Sequence, residues 1–164
     1  VLGTKADGSP WRVAVQDPED PSAYAGVLSL TDAFAVTSGG YQRYFEENGV
    51  RYQHILDPKT GYPAESGLTS VTVVAAANGP DYDSDTPAPG NGAMCDAFST
   101  ALFVMGEEKA LNFWRTSGYD FGLVLVTEDG RVLVTEGLAD RFEQTEGSAY
   151  RYELIPRADE ARPG

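Results

Sequence analysis

Leu68-Thr69-Ser70-Val71-Thr72-Val73-Val74-Ala75-Ala76-Ala77 is rich in β-branched residues and reads as a central strand. Downstream of it, Ala93–Met105 has helical period, with Met94, Phe98, Ala101, Leu102 and Met105 on one apolar stripe. Gly106 stops that helix, and Glu107–Thr116 restarts as a second one ending at Ser117-Gly118. Phe121–Thr127 and Arg131–Thr135 flank Glu128-Asp129-Gly130 as a hairpin, a short helix follows around Leu138–Phe142, and residues 156–164 read as a frayed tail. Upstream, Asn48-Gly49 is the preferred pair for a tight hairpin turn, joining Tyr41–Glu47 to Val50–Leu56. Alternation in the second arm groups His54 with Val50, Tyr52 and Leu56, which predicts an inward imidazole. Nearer the start the chain reads as a hairpin, with Asp7-Gly8-Ser9-Pro10 as its turn and Trp11–Val15 as an alternating strand. Ala25–Leu30 and Ala33–Thr37 read as a strand pair around Thr31-Asp32. The sum is one α+β domain over residues 1–155, a mostly antiparallel sheet with two helices packed on it.

Composition narrows the function classes. The chain has 164 residues and a formal charge of −13, with 12 scattered Lys and Arg. Such a surface repels a phosphate backbone, which argues against nucleic-acid binding. An anionic small substrate would need local help from a metal ion or from backbone NH groups. No apolar stretch reaches the length of a membrane span, and Val1-Leu2-Gly3-Thr4-Lys5 lacks the pattern of an export signal. Cys95 is the only cysteine and reads as packing; His54 is the only histidine. The Asn78–Gly92 loop carries Asp81, Asp83 and Asp85 but lacks the twelfth-position Glu of an EF-hand, so a solvated insertion is the better reading.

Three groups of residues could carry chemistry. Asp96, Ser99 and Thr100 fall within one arc of their helix, where a carboxylate and a hydroxyl at i and i+4 present hard oxygens to one point. Mg²⁺ prefers such ligands and keeps open positions for substrate phosphates; the plainer alternative is a carboxylate complementing the helix dipole beside exposed hydroxyls. His54 lies where a strand ends before Asp57-Pro58 and Gly61, so it reads either as a core histidine or as a site residue. Thr37-Ser38-Gly39-Gly40 ends a strand with small residues, compatible with close approach of a ligand or with a β-bulge.

Taken in order, Thr37-Ser38-Gly39-Gly40-Tyr41, Tyr52-Gln53-His54-Ile55-Leu56-Asp57-Pro58-Lys59-Thr60-Gly61, Leu68–Val73 and Cys95–Gly106 resemble the ApbE flavin transferases. The similarity runs from residue 1 to about residue 145 and covers the later half of the usual family chain, with Val1-Leu2-Gly3 reading as the middle of a core strand. The resemblance implies transfer of FMN from FAD, with Mg²⁺, to a Thr or Ser hydroxyl of a target flavoprotein, releasing AMP. It implies Asp96 and Thr100 as metal ligands with Ser99 beside them, His54 as the residue that orients or deprotonates the acceptor hydroxyl, and Ser38, Gly39 and Ser70 along the flavin. Gly40 stands where the family pattern has a polar residue, and the 78–92 loop is longer than usual. Relatives are commonly exported and lipid-anchored, so an extracytoplasmic location, periplasmic or membrane-anchored, is expected by analogy. Two further functions share these residues: an FAD pyrophosphatase giving FMN and AMP, and a non-catalytic flavin-binding or interaction domain.

Overall fold

The computed structural model describes residues 1–77 and 91–157, and it has the expected α+β character with antiparallel-rich sheets. The strands are β1 (Trp11–Gln16), β2 (Tyr24–Leu30), β3 (Ala33–Gly39), β4 (Tyr44–Glu47), β5 (Val50–Gln53), β6 (Leu68–Ala76), β7 (Gly122–Thr127), β8 (Arg131–Thr135), β9 (Phe142–Gln144) and β10 (Arg151–Ile155). The helices are α1 (Asn91–Met105) and α2 (Glu107–Thr116), with a 3₁₀ turn over Glu136–Arg141. The main sheet has the order β10-β8-β7-β6-β3, so the β-branched run of β6 is an inner strand, paired antiparallel on both sides. A second sheet, β1-β2-β9, packs on one face of it, and β4-β5 forms a separate ribbon.

Strand alternation divides the core. Val71, Val73 and Ala75 face the helices, meeting Cys95, Leu102, Phe103, Ala110 and Trp114. Val74 points the other way and, with Val124, Val126 and Val132, meets Leu28 and Leu30 of the second sheet. Three layers result: helices, five-stranded sheet, three-stranded sheet.

Local signals held where local chemistry dictates the outcome. Asn48 (φ 52°) and Gly49 (φ 78°) both take the left-handed conformation that a tight hairpin needs, and β4 pairs with β5 across them, with shorter arms than expected. The second helix keeps its expected limits, with Glu107 and Glu108 at its start and Arg115 at its end, complementing the dipole.

Other expectations fail for physical reasons. Trp11–Gln16 pairs with β2, not with the residues before the turn at Asp7-Gly8, and Val1-Leu2-Gly3 lies outside any strand, with Leu2 78% exposed. β2 and β3 are not partners either. At Thr31-Asp32 the chain passes from one sheet to the other, so Leu28 and Leu30 lie in the same core as Ala33 and Ala35, facing across it rather than side by side. The first helix begins at Asn91, inside the segment expected to be loop, and the rest of that segment, residues 78–90 with Asp81, Asp83 and Asp85, lies outside the described residues. Its buried side chains are Cys95, Ser99, Leu102 and Phe103, whereas Ala101 and Met105 are exposed, so the inward face is rotated from the expected stripe. Phe142 starts strand β9 instead of ending a helix, and β10 adds a parallel edge to the main sheet.

Arg131 ties the start of α2 to the β7–β8 turn. Its guanidinium donates to both Glu107 carboxylate oxygens at 3.0 and 2.6 Å, and its Nε donates to Asp129 at 2.9 Å. These bonds from Arg131, and then one from Thr127, hold the Asp129 carboxyl below its ordinary value of 3.8. A carboxylate lowered on folding stabilises the native state above its unfolded value and loses that contribution as pH falls through the folded one. Asp129→Asn should therefore flatten the fall in melting temperature below about pH 3.8, read by circular dichroism. Arg131→Met should cost about 1–3 kcal/mol at neutral pH.

Candidate functional site

Strand β3 is an edge of the main sheet, and its end lies under α1. Residues directly opposite in an antiparallel pair share a face, so Ser38, opposite Val71, points at the helices. Its Oγ lies 2.8 Å from Ser99 Oγ and 2.9 Å from Thr100 Oγ1, joining strand to helix. Ser99 Oγ in turn donates to the Asp96 carbonyl at 2.9 Å. Thr100 and Asp96, one turn apart, are both on the exposed side of α1.

Ser99, expected as a further oxygen ligand, does not reach that surface. It is completely buried, and its hydroxyl is committed to Ser38 and to the helix backbone. A hydroxyl can complete a helix–strand seam as readily as it can face water, and spacing alone does not separate the two. The side chains left for a cation are one carboxylate and one hydroxyl, and the described residues hold no cluster of three His, Cys, Asp or Glu. That donor set fits Mg²⁺, a hard ion that usually takes one or two carboxylates and fills its remaining positions with water and substrate phosphates. It does not fit zinc, which uses three or four N, S and O side chains.

His54 is exposed, contrary to the inward orientation expected of it. β5 ends at Gln53, so alternation stops there; Ile55 is buried, while Leu56 is 52% exposed. The imidazole Nδ1 lies 3.1 Å from the Arg43 carbonyl oxygen. A carbonyl only accepts, so Nδ1 carries the proton and, in the neutral ring, Nε2 is left with a free lone pair. The following loop bonds to itself. Asp57 Oδ1 accepts from the Lys59 amide, the Asp57 carbonyl accepts from Thr60 and Gly61, and Leu56 bridges Pro63. The Asp-Pro-Lys-Thr-Gly block thereby fixes where His54 leaves the strand.

Ser70 is placed differently. It pairs with Gly39, and Thr72 with Thr37, on the face opposite Ser38. The Thr37 and Thr72 hydroxyls bond there at 2.7 Å, and Ser70 is fully buried with an unpartnered Oγ. The structure thus brings Ser38, Ser99 and Thr100 together beside Asp96, and turns Ser70 away from them.

Sequence reading passed over Gln53 and Tyr41. They line a cavity of about 250 Å³ with Gly40, Thr69, Phe103 and Glu128. Gln53 Nε2 donates to the Ala64 carbonyl at 2.8 Å, while its buried Oε1 has no partner. Burial pushes the Tyr41 phenol up from its ordinary value. The signal was present: a Cβ at Gly40 would overlap the Gln53 amide, so the amide occupies the space that a side chain at position 40 would fill. Cys95 behaves as packing; it is fully buried, and desolvation raises its thiol to about 11. Another cavity, about 290 Å³, opens by Val74–Ala76 at the far end of β6, away from all these residues.

A family model described as the ApbE family matches residues 1–123. A Haemophilus influenzae protein named FAD:protein FMN transferase is 33% identical over 145 residues, covering 87% of this chain and 38% of its own length. A Rhodobacter capsulatus protein of the same name is 37% identical over 151 residues, covering 90% of this chain and 25% of the relative. Among solved structures, the ApbE protein of Thermotoga maritima aligns with a TM-score of 0.60 at 35% identity, covering 88% of this chain and 38% of that one. The apo flavinyl transferase ApbE of Pseudomonas stutzeri aligns with a TM-score of 0.54 at 34% identity, covering 88% and 36%. The chain therefore spans between a quarter and two-fifths of the length of these relatives.

One added methyl group tests the close contacts at the end of β3. At Gly39 it would lie 2.9 Å from the Thr69 carbonyl oxygen, a backbone atom that cannot swing aside. Gly39→Ala should destabilise by about 1–3 kcal/mol in urea unfolding. At Gly40 the nearest atoms belong to the Gln53 side chain, its amide first and its Cβ at 3.2 Å, so Gly40→Ala should cost less, and a crystal structure should show that amide displaced.

Proposed function

Because the chain belongs to the ApbE family, we propose that it is part of an enzyme that transfers FMN from FAD to a Thr or Ser hydroxyl of a target flavoprotein. In that reaction the acceptor oxygen bonds to the phosphorus on the FMN side, the bond from that phosphorus to the bridging oxygen breaks, and AMP leaves with that oxygen. The observation that carries this reading is the pairing of Asp96 and Thr100 on the exposed side of α1, with Thr100 joined to β3 through Ser38. Asp96 and Thr100 would hold Mg²⁺, which when bound neutralises charge on the diphosphate and can supply several kcal/mol to the transition state.

The other residues have roles that their surroundings support. His54 is exposed, and the free lone pair on its Nε2 suits acceptance of the proton from the incoming hydroxyl. Arg43 keeps the ring in that tautomer through its carbonyl. The cavity beside Gly40, with Tyr41 as an aromatic wall and the Gln53 carbonyl as an acceptor, suits a flat heterocycle bearing an N–H.

The test is incubation of the full-length protein with FAD, Mg²⁺ and a target flavoprotein, followed by in-gel flavin fluorescence and measurement of AMP. Covalent flavin should appear with an equal amount of AMP. Asp96→Ala should abolish both, and His54→Asn should slow transfer by about 10²–10⁴-fold. Absence of covalent flavin would sink the transferase reading; FMN and AMP formed equally well without a target would leave a pyrophosphatase.

A further inference from the structure

The hydroxyl contacts between β3 and α1 contain more information than their distances. Each Ser or Thr hydroxyl carries one proton and can accept through its lone pairs. There are three contacts to satisfy, Ser99 with the Asp96 carbonyl, Ser38 with Ser99, and Thr100 with Ser38, and three protons to do it. The Asp96 carbonyl only accepts, so the Ser99 proton goes there. Ser99 then has none for Ser38, and Ser38 must donate to Ser99. Its proton being spent, Ser38 can only accept from Thr100. One direction alone puts a proton in every contact: Thr100 to Ser38 to Ser99 to the helix backbone.

We infer that Ser38 is a positioning residue for the proposed metal site: it takes the Thr100 proton and so leaves the Thr100 oxygen purely an acceptor on the exposed side of α1. This rests on Asp96 and Thr100 being the metal ligands. A neutral hydroxyl binds a cation through a lone pair while its proton points elsewhere, and a cation makes that proton a stronger donor. A fixed acceptor behind the hydroxyl therefore raises affinity, as partners behind metal ligands generally do. Ser99 is the anchor of the relay. Being fully buried and bonded to the backbone of its own helix, it holds the Ser38 proton away from Thr100.

The experiment measures Mn²⁺ binding to the full-length protein by electron paramagnetic resonance, with Mg²⁺ as competitor. Thermal melting is run beside it so that a folding defect is seen. Ser38→Ala and the near-isosteric Ser38→Cys, a poor acceptor, should each weaken Mn²⁺ binding by about 10–100-fold while still melting in one cooperative transition. Ser38→Thr keeps the acceptor and should stay within about threefold of the parent. If Ser38→Ala and Ser38→Cys bind Mn²⁺ like the parent while Asp96→Ala and Thr100→Ala do not, the relay has no part in metal binding and the inference fails alone. If Ser38→Thr loses as much as Ser38→Ala, the position serves packing and the inference again fails. If Asp96→Ala and Thr100→Ala bind Mn²⁺ unchanged, the metal reading itself is wrong and the inference falls with it.

Discussion

The arrangement depends on a polar seam laid over an apolar one. α1 sits on the main sheet through Cys95, Leu102 and Phe103, which could in principle slide over Val71 and Val73, because apolar contact is not directional. The hydroxyl contacts of Ser38 with Ser99 and Thr100 are directional, and they fix where along β3 the helix stops. They exist only because β3 is paired with β6 in the register that puts Ser38 opposite Val71. A slip of one residue would present Thr37 or Gly39 to the helix and turn Ser38 to the other face. The position of Thr100 is therefore set by strand pairing, and the exposed pair on α1 inherits its placement from the sheet.

How much of this the sequence revealed divides along local and non-local lines. Asn48-Gly49, the limits of α2 and the β7–β8 hairpin are set by turns and caps within a few residues, and reading them required nothing distant. The passage between β2 and β3 has the same local signal as a hairpin, two strands around a short turn. Which sheet each strand joins is decided by β1 and β6, outside that window. β10 has a parallel partner twenty residues back, beyond any periodicity of its own.

The site divides in the same way. Asp96, Thr100 and Ser38 were legible as motif residues, and the structure adds the contact between Ser38 and Thr100. His54 was misplaced because alternation was carried three residues beyond the end of β5. Ser99 was misplaced because a serine was counted as polar and therefore exposed, although a hydroxyl that bonds to its own helix and to a strand is well suited to burial. Gln53 went unnoticed because its part depends on Gly40, thirteen residues away, having no side chain.

The charge distribution explains why the proposed chemistry would use a metal at all. The chain carries −13, and four of its guanidinium groups are already engaged. Arg131 is held by Glu107 and Asp129, Arg12 by Glu143, and Arg151 by Asp129, while Arg157 lies over the Trp114 ring. An arginine paired with a carboxylate would have to surrender it before taking a phosphate, at the cost of leaving that carboxylate unpaired. A divalent ion requires no such exchange, because its positive charge arrives with it and one carboxylate is enough to start its shell. Surplus acidity, which repels an anion from the surface at large, becomes an attraction for the cation that must precede it. On this view Asp96 is effective because it stands beside a hydroxyl whose proton is directed inward, so that carboxylate and alcohol both present lone pairs to the same exposed side of one helix turn.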